Sequence, residues 1–167
     1  MPRKSVKTLT IEPVPTRYED DLYTWVQEQV ALLRSGRLDQ LDANNVAEEL
    51  SDVGNEQRDK LECAIAVLTM HLLKWDHQAK HRSRSWELSI REQRRRIARV
   101  LKKCPGLQPL VPEAIEEGFA DGRDRALAET GLPDAAMSET CPFSFDEMMT
   151  RPIVFEPSPP RRRKSSP

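Results

Sequence analysis

Four residues of this 167-residue chain invite metal chemistry: Glu48, Glu49, Asp52 and His71. Carboxylate-held metal pairs need Glu-x-x-His motifs on facing helices. Glu49 and Asp52 share a helical face, but no histidine follows either acid at three residues. His71 would lie about 33 Å from Glu49 along a continuous helix rising ~1.5 Å per residue. Folding the chain back at Gly54 would bring Glu49 only to Asp59 or Lys60. A Glu49–His71 site therefore demands a second chain or an unusual fold, and no metal is expected. His77 and His81, four apart, have the spacing of a helical metal pair. Lys80 and Arg82 beside them would repel a cation, so both read as solvated histidines.

An enzyme reading would rest on Glu49, Asp52, His71, Lys74 and Arg91. His71 sits beside the apolar positions Leu68, Leu72 and Trp75, where a histidine is more often a hydrogen-bonded core residue than a catalyst. Cys63, close to Ile65 and Val67, reads as an inert thiol in apolar surroundings. No nucleophile elbow, P-loop, zinc-protease or dinucleotide fingerprint occurs, and no cofactor is implied. The stronger chemical signal is cationic. Arg91, Arg94, Arg95, Arg99, Lys102 and Lys103 lie along one helix, a pattern able to track phosphates, and Arg161, Arg162, Arg163 and Lys164 repeat the charge near the end of the chain. No nucleic-acid-binding motif and no aromatic platform accompany them.

Composition narrows the classes further. With 38% hydrophobic and 32% charged residues, the core is thin for the length, which points to exposed helices or to surface buried in an oligomer. Cys63, Cys104 and Cys141 are scattered and form no C-x-x-C pair, so a reducing, cytoplasmic setting is expected. The longest apolar run, Cys63 to Leu68, is far shorter than the ~20 residues of a membrane span. The basic residues Arg3, Lys4 and Lys7 are followed by no apolar stretch, so no secretory signal is expected. The net charge of −1 conceals segregation. Residues 10–59 hold twelve acids against four arginines, residues 74–103 eleven Lys and Arg against three acids, and residues 113–150 ten acids against two arginines. The simplest account is mutual neutralisation between neighbouring helices; the alternative is an anion-binding surface.

Those residues must be positioned by helices. Glu19 to Asp21 open a first helix through Leu22, Trp25, Val26, Val30 and Leu33, which Gly36 stops. Asp42 caps a second, over about residues 43–80, whose seam runs Val46, Leu50, Val53, Gln57, Leu61, Ala64, Leu68, Leu72 and Trp75. Gly54 is its weak point, a place for a kink or a break; the plainer expectation is that its missing side chain admits the Trp25 indole. Ser83 and Ser85 compete to cap a third helix, ended at Cys104-Pro105-Gly106. It should return antiparallel on the second, with Trp75 opposite Trp86 and Leu61 near Val100. A fourth, from about Pro109 to Thr130, carries Gly118 and Gly122 as a bare strip for close approach of another helix. Ser144 and Glu147 form a capping box for a short fifth helix, with Phe143 as staple on Met148. No strand pattern appears, so the fold class is all-α. Residues 1–16 are expected to be extended or flexible, 17–150 to be one helical domain, and 151–167 a disordered basic, proline-rich tail.

Taken in order, these blocks resemble a known family. They are Tyr18-Glu-Asp-Asp-Leu-Tyr-Thr-Trp25, Leu32-Leu-Arg-Ser-Gly36, Leu41-Asp42, Glu48-Glu49-Leu50 and Gly54. His71-Leu-Leu-Lys-Trp75, Ser85-Trp86, Ile90-Arg-Glu-Gln-Arg94, Glu129-Thr130-Gly131-Leu132-Pro133 and Cys141-Pro142 follow. Over residues 17–149 the chain looks like the bacterial family called domain of unknown function 29. The resemblance implies an all-helical single domain and brings no established reaction, ligand or partner. His77 and Ala79 depart from the family's aromatic and proline near those positions, which argues against a role for His77 and His81.

The chain therefore reads first as a non-enzymatic helical protein acting through a protein–protein or self-association surface. A nucleic-acid-associated factor using residues 85–103 and the tail is the second reading, and an enzyme built on the five residues named above is the third.

Overall fold

The structure, a computed structural model, describes residues 15–156. The tail with Arg161, Arg162, Arg163 and Lys164, and most of the N-terminal lead-in, lie outside the described residues. The fold is all-α, with no strand among the described residues. Helices α1 (Leu22–Ser35), α2 (Ala43–His77), α3 (Arg84–Lys103) and α4 (Val111–Thr130) are followed by the short α5 (Phe145–Thr150).

Local chemistry sets the boundaries. The Asp21 carboxylate accepts the Thr24 N–H at 3.1 Å and opens α1. Gly36 and Gly131 close α1 and α4 at φ +72° and +67°, left-handed conformations that favour glycine. Ser83, rather than Ser85, caps α3 by accepting the Trp86 N–H at 3.4 Å. The Ser144–Glu147 capping box opens α5, and Phe143 and Met148 join one core cluster.

By compactness the chain divides into two units, one up to Val53 and one from Gly54, with the boundary inside α2. α2 itself is unbroken through Gly54. The expectation that Gly54 makes room for the Trp25 indole is overturned: a Cβ at Gly54 would meet nothing within 4 Å.

In the first unit, α1 precedes the opening turns of α2. Trp25 is buried, and its Nε1–H donates to the Asp42 carboxylate at 3.2 Å. Gln29, also buried, accepts the Asp42 N–H at 2.9 Å. The Asp42 that caps α2 thus ties it back to α1.

In the second unit, α3 runs antiparallel to α2. Arg82, just before α3, donates to the Trp75 carbonyl at 2.8 Å, and the Lys74 Nζ stands 4.5 Å from the Trp86 ring centroid. Trp75 and Trp86 belong to one cluster, but in place of an aromatic pair each ring receives a cation: Trp86 receives Lys74, and Trp75 receives Arg82 at 5.1 Å. The ring pair among the described residues is Tyr18 with Trp25, edge to face at 5.0 Å. α4 lies parallel to α2 at very short range. A Cβ at Gly118 would come within 2.8 Å of the Glu62 carbonyl, and one at Gly122 within 2.5 Å of the Ala66 carbonyl. The bare strip read from the sequence is where the two backbones meet. Leu61, Ile65, Leu68, Leu72, Ile90, Ile97 and Met148 form the centre of the core. Cys63 corrects an expectation, since it is exposed: it lies off the helical face of Leu61, Ala64, Ile65 and Leu68.

Candidate functional site

The five residues of the enzyme reading fall in different units: Glu49 and Asp52 in the first, His71, Lys74 and Arg91 in the second. Glu49 accepts the Tyr18 hydroxyl at 2.6 Å, and that bond, with burial and nearby acids behind it, pushes the Tyr18 pKa up to about 12. Asp52 makes no ion pair among the described residues. Lys74 is buried, and its ammonium is held between the Glu129 carboxylate and the Trp86 ring. Both contacts engage the amine, so it is tied into the packing between α2, α3 and α4 rather than open to a substrate. His71 has a buried Nδ1 with no hydrogen-bond partner, so the hydrogen-bonded core histidine expected at this position is not found. Burial first, then the Lys74 charge, depresses its pKa, leaving a neutral imidazole. Arg91 grips Glu87 at 2.7 Å.

That Glu87 is a hub the sequence did not advertise. It is 3% exposed, and Arg84 (2.9 Å), Arg91 and the Phe155 N–H (3.2 Å) all converge on it. The Phe155 N–H most of all, helped by the two guanidinium groups, holds its carboxyl below the usual range. Its role is to tie the segment after α5 to the start of α3. Among the described residues, no group of three His, Cys, Asp or Glu side chains is placed to hold a metal. His77 and His81 are exposed, one at the end of α2 and one in the turn that follows.

The basic helix corrects a second expectation. Among the described residues, none of its cations makes an ion pair to a carboxylate of α1, α2 or α4. Four of the carboxylates within its reach in sequence are engaged elsewhere: Glu62 and Glu113 by Arg58, Glu129 by Lys74, Asp76 by Arg151. Arg94, counted among the phosphate-tracking residues, turns inward instead. Its Nε donates to the Met148 carbonyl at 2.7 Å and its Nη2 is buried without a partner, so burial lowers its pKa. Arg95, Arg99, Lys102 and Lys103 remain exposed and form no ion pair among the described residues, although Lys60 first, and then Lys103, hold the Glu56 carboxyl of α2 below the usual range.

The first unit presents a different surface. Trp25, Val26, Val30, Leu33, Val46 and Leu50 line an apolar groove of about 170 Å³ along α1 and the start of α2. Leu33 is 46% and Leu50 67% exposed. Beyond the groove, Leu22 and Val53 are also exposed. The periodicity that marked Val46, Leu50 and Val53 identified a real face, but among the described residues of this unit no third helix covers it. Residues 15–53 carry nine acids against Arg17, Arg34 and Arg37, so the groove lies in a strongly acidic setting.

No curated protein and no solved structure matches this chain. The family model described as Domain of unknown function DUF29 matches residues 17–153, across both units, and the chain belongs to that family.

Proposed function

We propose that this protein is a non-enzymatic helix-docking module. Its first unit would receive an amphipathic helix of a partner protein, with an apolar stripe on the α1–α2 groove and basic residues at its flanks. The observation that carries this reading is the uncovered apolar groove in an acidic unit. Helix-in-groove recognition needs an apolar trough for anchors spaced at i, i+3, i+4 and i+7, and the surplus of six carboxylates selects a cationic partner over a second copy of the same acidic surface. A helical peptide with a leucine stripe and lysine flanks, titrated into the full chain, should bind, and the same peptide with glutamate flanks should not. Leu50→Asp should abolish binding while leaving the unfolding temperature unchanged, because Leu50 is exposed. Equal binding of both peptides would sink the charge argument. A wild-type dimer in sedimentation that Leu50→Asp dissolves would assign the groove to self-association.

A second reading, polyanion binding by α3, is favoured by one observation: Arg95, Arg99, Lys102 and Lys103 are exposed and form no ion pair among the described residues. Retention on heparin separates it from binding by the tail. Neutralising these four residues should reduce the salt needed for elution if α3 is the contact. If only neutralising Arg161 to Lys164 does so, the α3 reading fails.

A further inference from the structure

The second unit holds a cleft of about 560 Å³ that none of the surfaces above includes. One wall is α4, through Ile115, Glu116 and Phe119; the other is the segment from Glu139 to Phe145 that leads into α5. Its volume lies within the range of small-molecule sites, ~300–1,000 Å³. Three phenyl rings line it. Phe119 is buried, and Phe143 and Phe145 are half-buried on either side of the α5 cap Ser144. Cys141 and Phe143 pack against both hydrophobic clusters of this unit, so the cleft opens where the two clusters reach the surface.

The charges of the cleft are one-sided. Glu116 and Glu139 line it, and no Lys, Arg or His does. Neither carboxylate makes an ion pair or hydrogen bond among the described residues, whereas Glu62, Glu87, Glu113, Glu129 and Glu147 are all engaged. Aromatic faces carry negative potential and attract cations, and an apolar wall beside them excludes water from the contact. Phe143 already displays this property, with the Arg151 guanidinium 6.0 Å from its ring centroid. An anion would meet two carboxylates and no cation among the lining residues. A neutral apolar molecule would have to desolvate carboxylates without compensating them. The class that satisfies both walls is a cation on an apolar body.

We propose that this cleft binds a small organic ammonium ion, its apolar body against Phe119, Phe143 and Phe145 and its cationic head facing Glu116 and Glu139. The site is independent of the α1–α2 groove, and its variants leave that groove intact.

Three probes of one shape test it on the full chain by calorimetry and by chemical-shift mapping: 2-phenylethylammonium, 2-phenylethanol and phenylacetate. The ammonium probe should bind roughly tenfold tighter than the alcohol, the gain expected from a cation–π contact plus a carboxylate. Phenylacetate should not bind. Shifts should fall on residues 112–119 and 139–145. Glu116→Gln combined with Glu139→Gln should reduce ammonium binding to the level of the alcohol without altering the unfolding temperature, since both side chains are exposed. Equal affinity for ammonium and alcohol, no binding of any probe, or ammonium binding that survives the double substitution would each overturn the proposal.

Discussion

One helix behaves in two ways along its length. The apolar positions of α2 recur with the same spacing from Val46 to Trp75, yet Leu50 and Val53 are exposed while Leu61, Leu68 and Leu72 are fully buried. In the second unit α3 and the start of α4 pack on the seam, and the glycine strip of α4 closes on the adjoining face of α2 at Ile65, Ala66 and Thr69. In the first unit α1 is the helix beside it, and polar ties secure that pair: Trp25 to Asp42, Gln29 to Asp42, Tyr18 to Glu49. Two helices can share one seam but cannot enclose it. Periodicity therefore identifies a face that avoids water, and the number of neighbours decides whether that face becomes core or contact surface.

Truncation should separate the two stretches most sharply. Leu68→Ala should cost about 2–5 kcal/mol in urea unfolding, through lost transfer energy and a cavity. Leu50→Ala, at an exposed position, should stay within about 0.5 kcal/mol. Comparable losses at the two positions would mean that the first unit buries its seam after all.

Glycine substitution sharpens the contrast at the backbone. Gly122→Ala places a methyl against the Ala66 carbonyl and Thr69, and should destabilise by about 1–3 kcal/mol. Gly54→Ala adds the same methyl where nothing lies within 4 Å, and should stabilise by about 0.5–1 kcal/mol through helix propensity. A loss of stability at Gly54 would reveal a conformational need that its surroundings do not display.

The smallest effects are in pH dependence, and they have opposite directions in the two units. His71 in the second unit has a depressed pKa, so the unfolded chain binds the proton more readily. Stability is fully present above the unfolded value near 6.5 and declines as pH falls below it. His71→Gln should flatten that acid limb in thermal melts between pH 7 and 5. Tyr18 in the first unit has a raised pKa, about 12, so its contribution is present below about pH 10 and lost as pH rises through 12. Tyr18→Phe should remove the late phenolate step from an absorbance titration. A wild-type titration with no such step would mean that Glu49 does not hold the hydroxyl.

Features legible in the sequence were those written within one or two helical turns. Asp21, Ser83 and the Ser144–Glu147 pair act on N–H groups three residues away, and Gly36 and Gly131 act on their own dihedrals, so these ends could be read closely, whereas α2, with no such stop signal, ends at His77 rather than near residue 80. The Gly118–Gly122 strip could also be read, because a missing side chain is visible in one dimension. Ion partners could not. Segment charges implied that α3 would be neutralised by its neighbours, but which cation meets which carboxylate depends on helix offset. Arg58, Lys74 and Arg151 reached those acids first. The ring that Trp86 was to meet could not be read either: Trp75 and Trp86 belong to one cluster, but the Trp86 face is taken by the Lys74 ammonium. Of the residues first considered for chemistry, Glu49, His71, Lys74, Arg91 and Arg94 proved to be held or enclosed. The groove and the cleft needed coordinates to be seen at all.

By itself, then, the sequence determined that this protein is all-helical, which residues cap α1 and α5 and close α1 and α4, and which side of each helix tends to avoid water, because hydrogen bonds and periodicity act between residues close along the chain. The tertiary structure alone decided that the α2 seam is enclosed from Leu61 onward but bare at Leu50, that Arg94 turns inward while Arg95 and Arg99 remain open, and that three phenylalanines and two unpaired glutamates meet in one cleft. Those outcomes depend on contacts between residues tens of positions apart, and only packed helices, with their offsets and crossing geometry, set such distances.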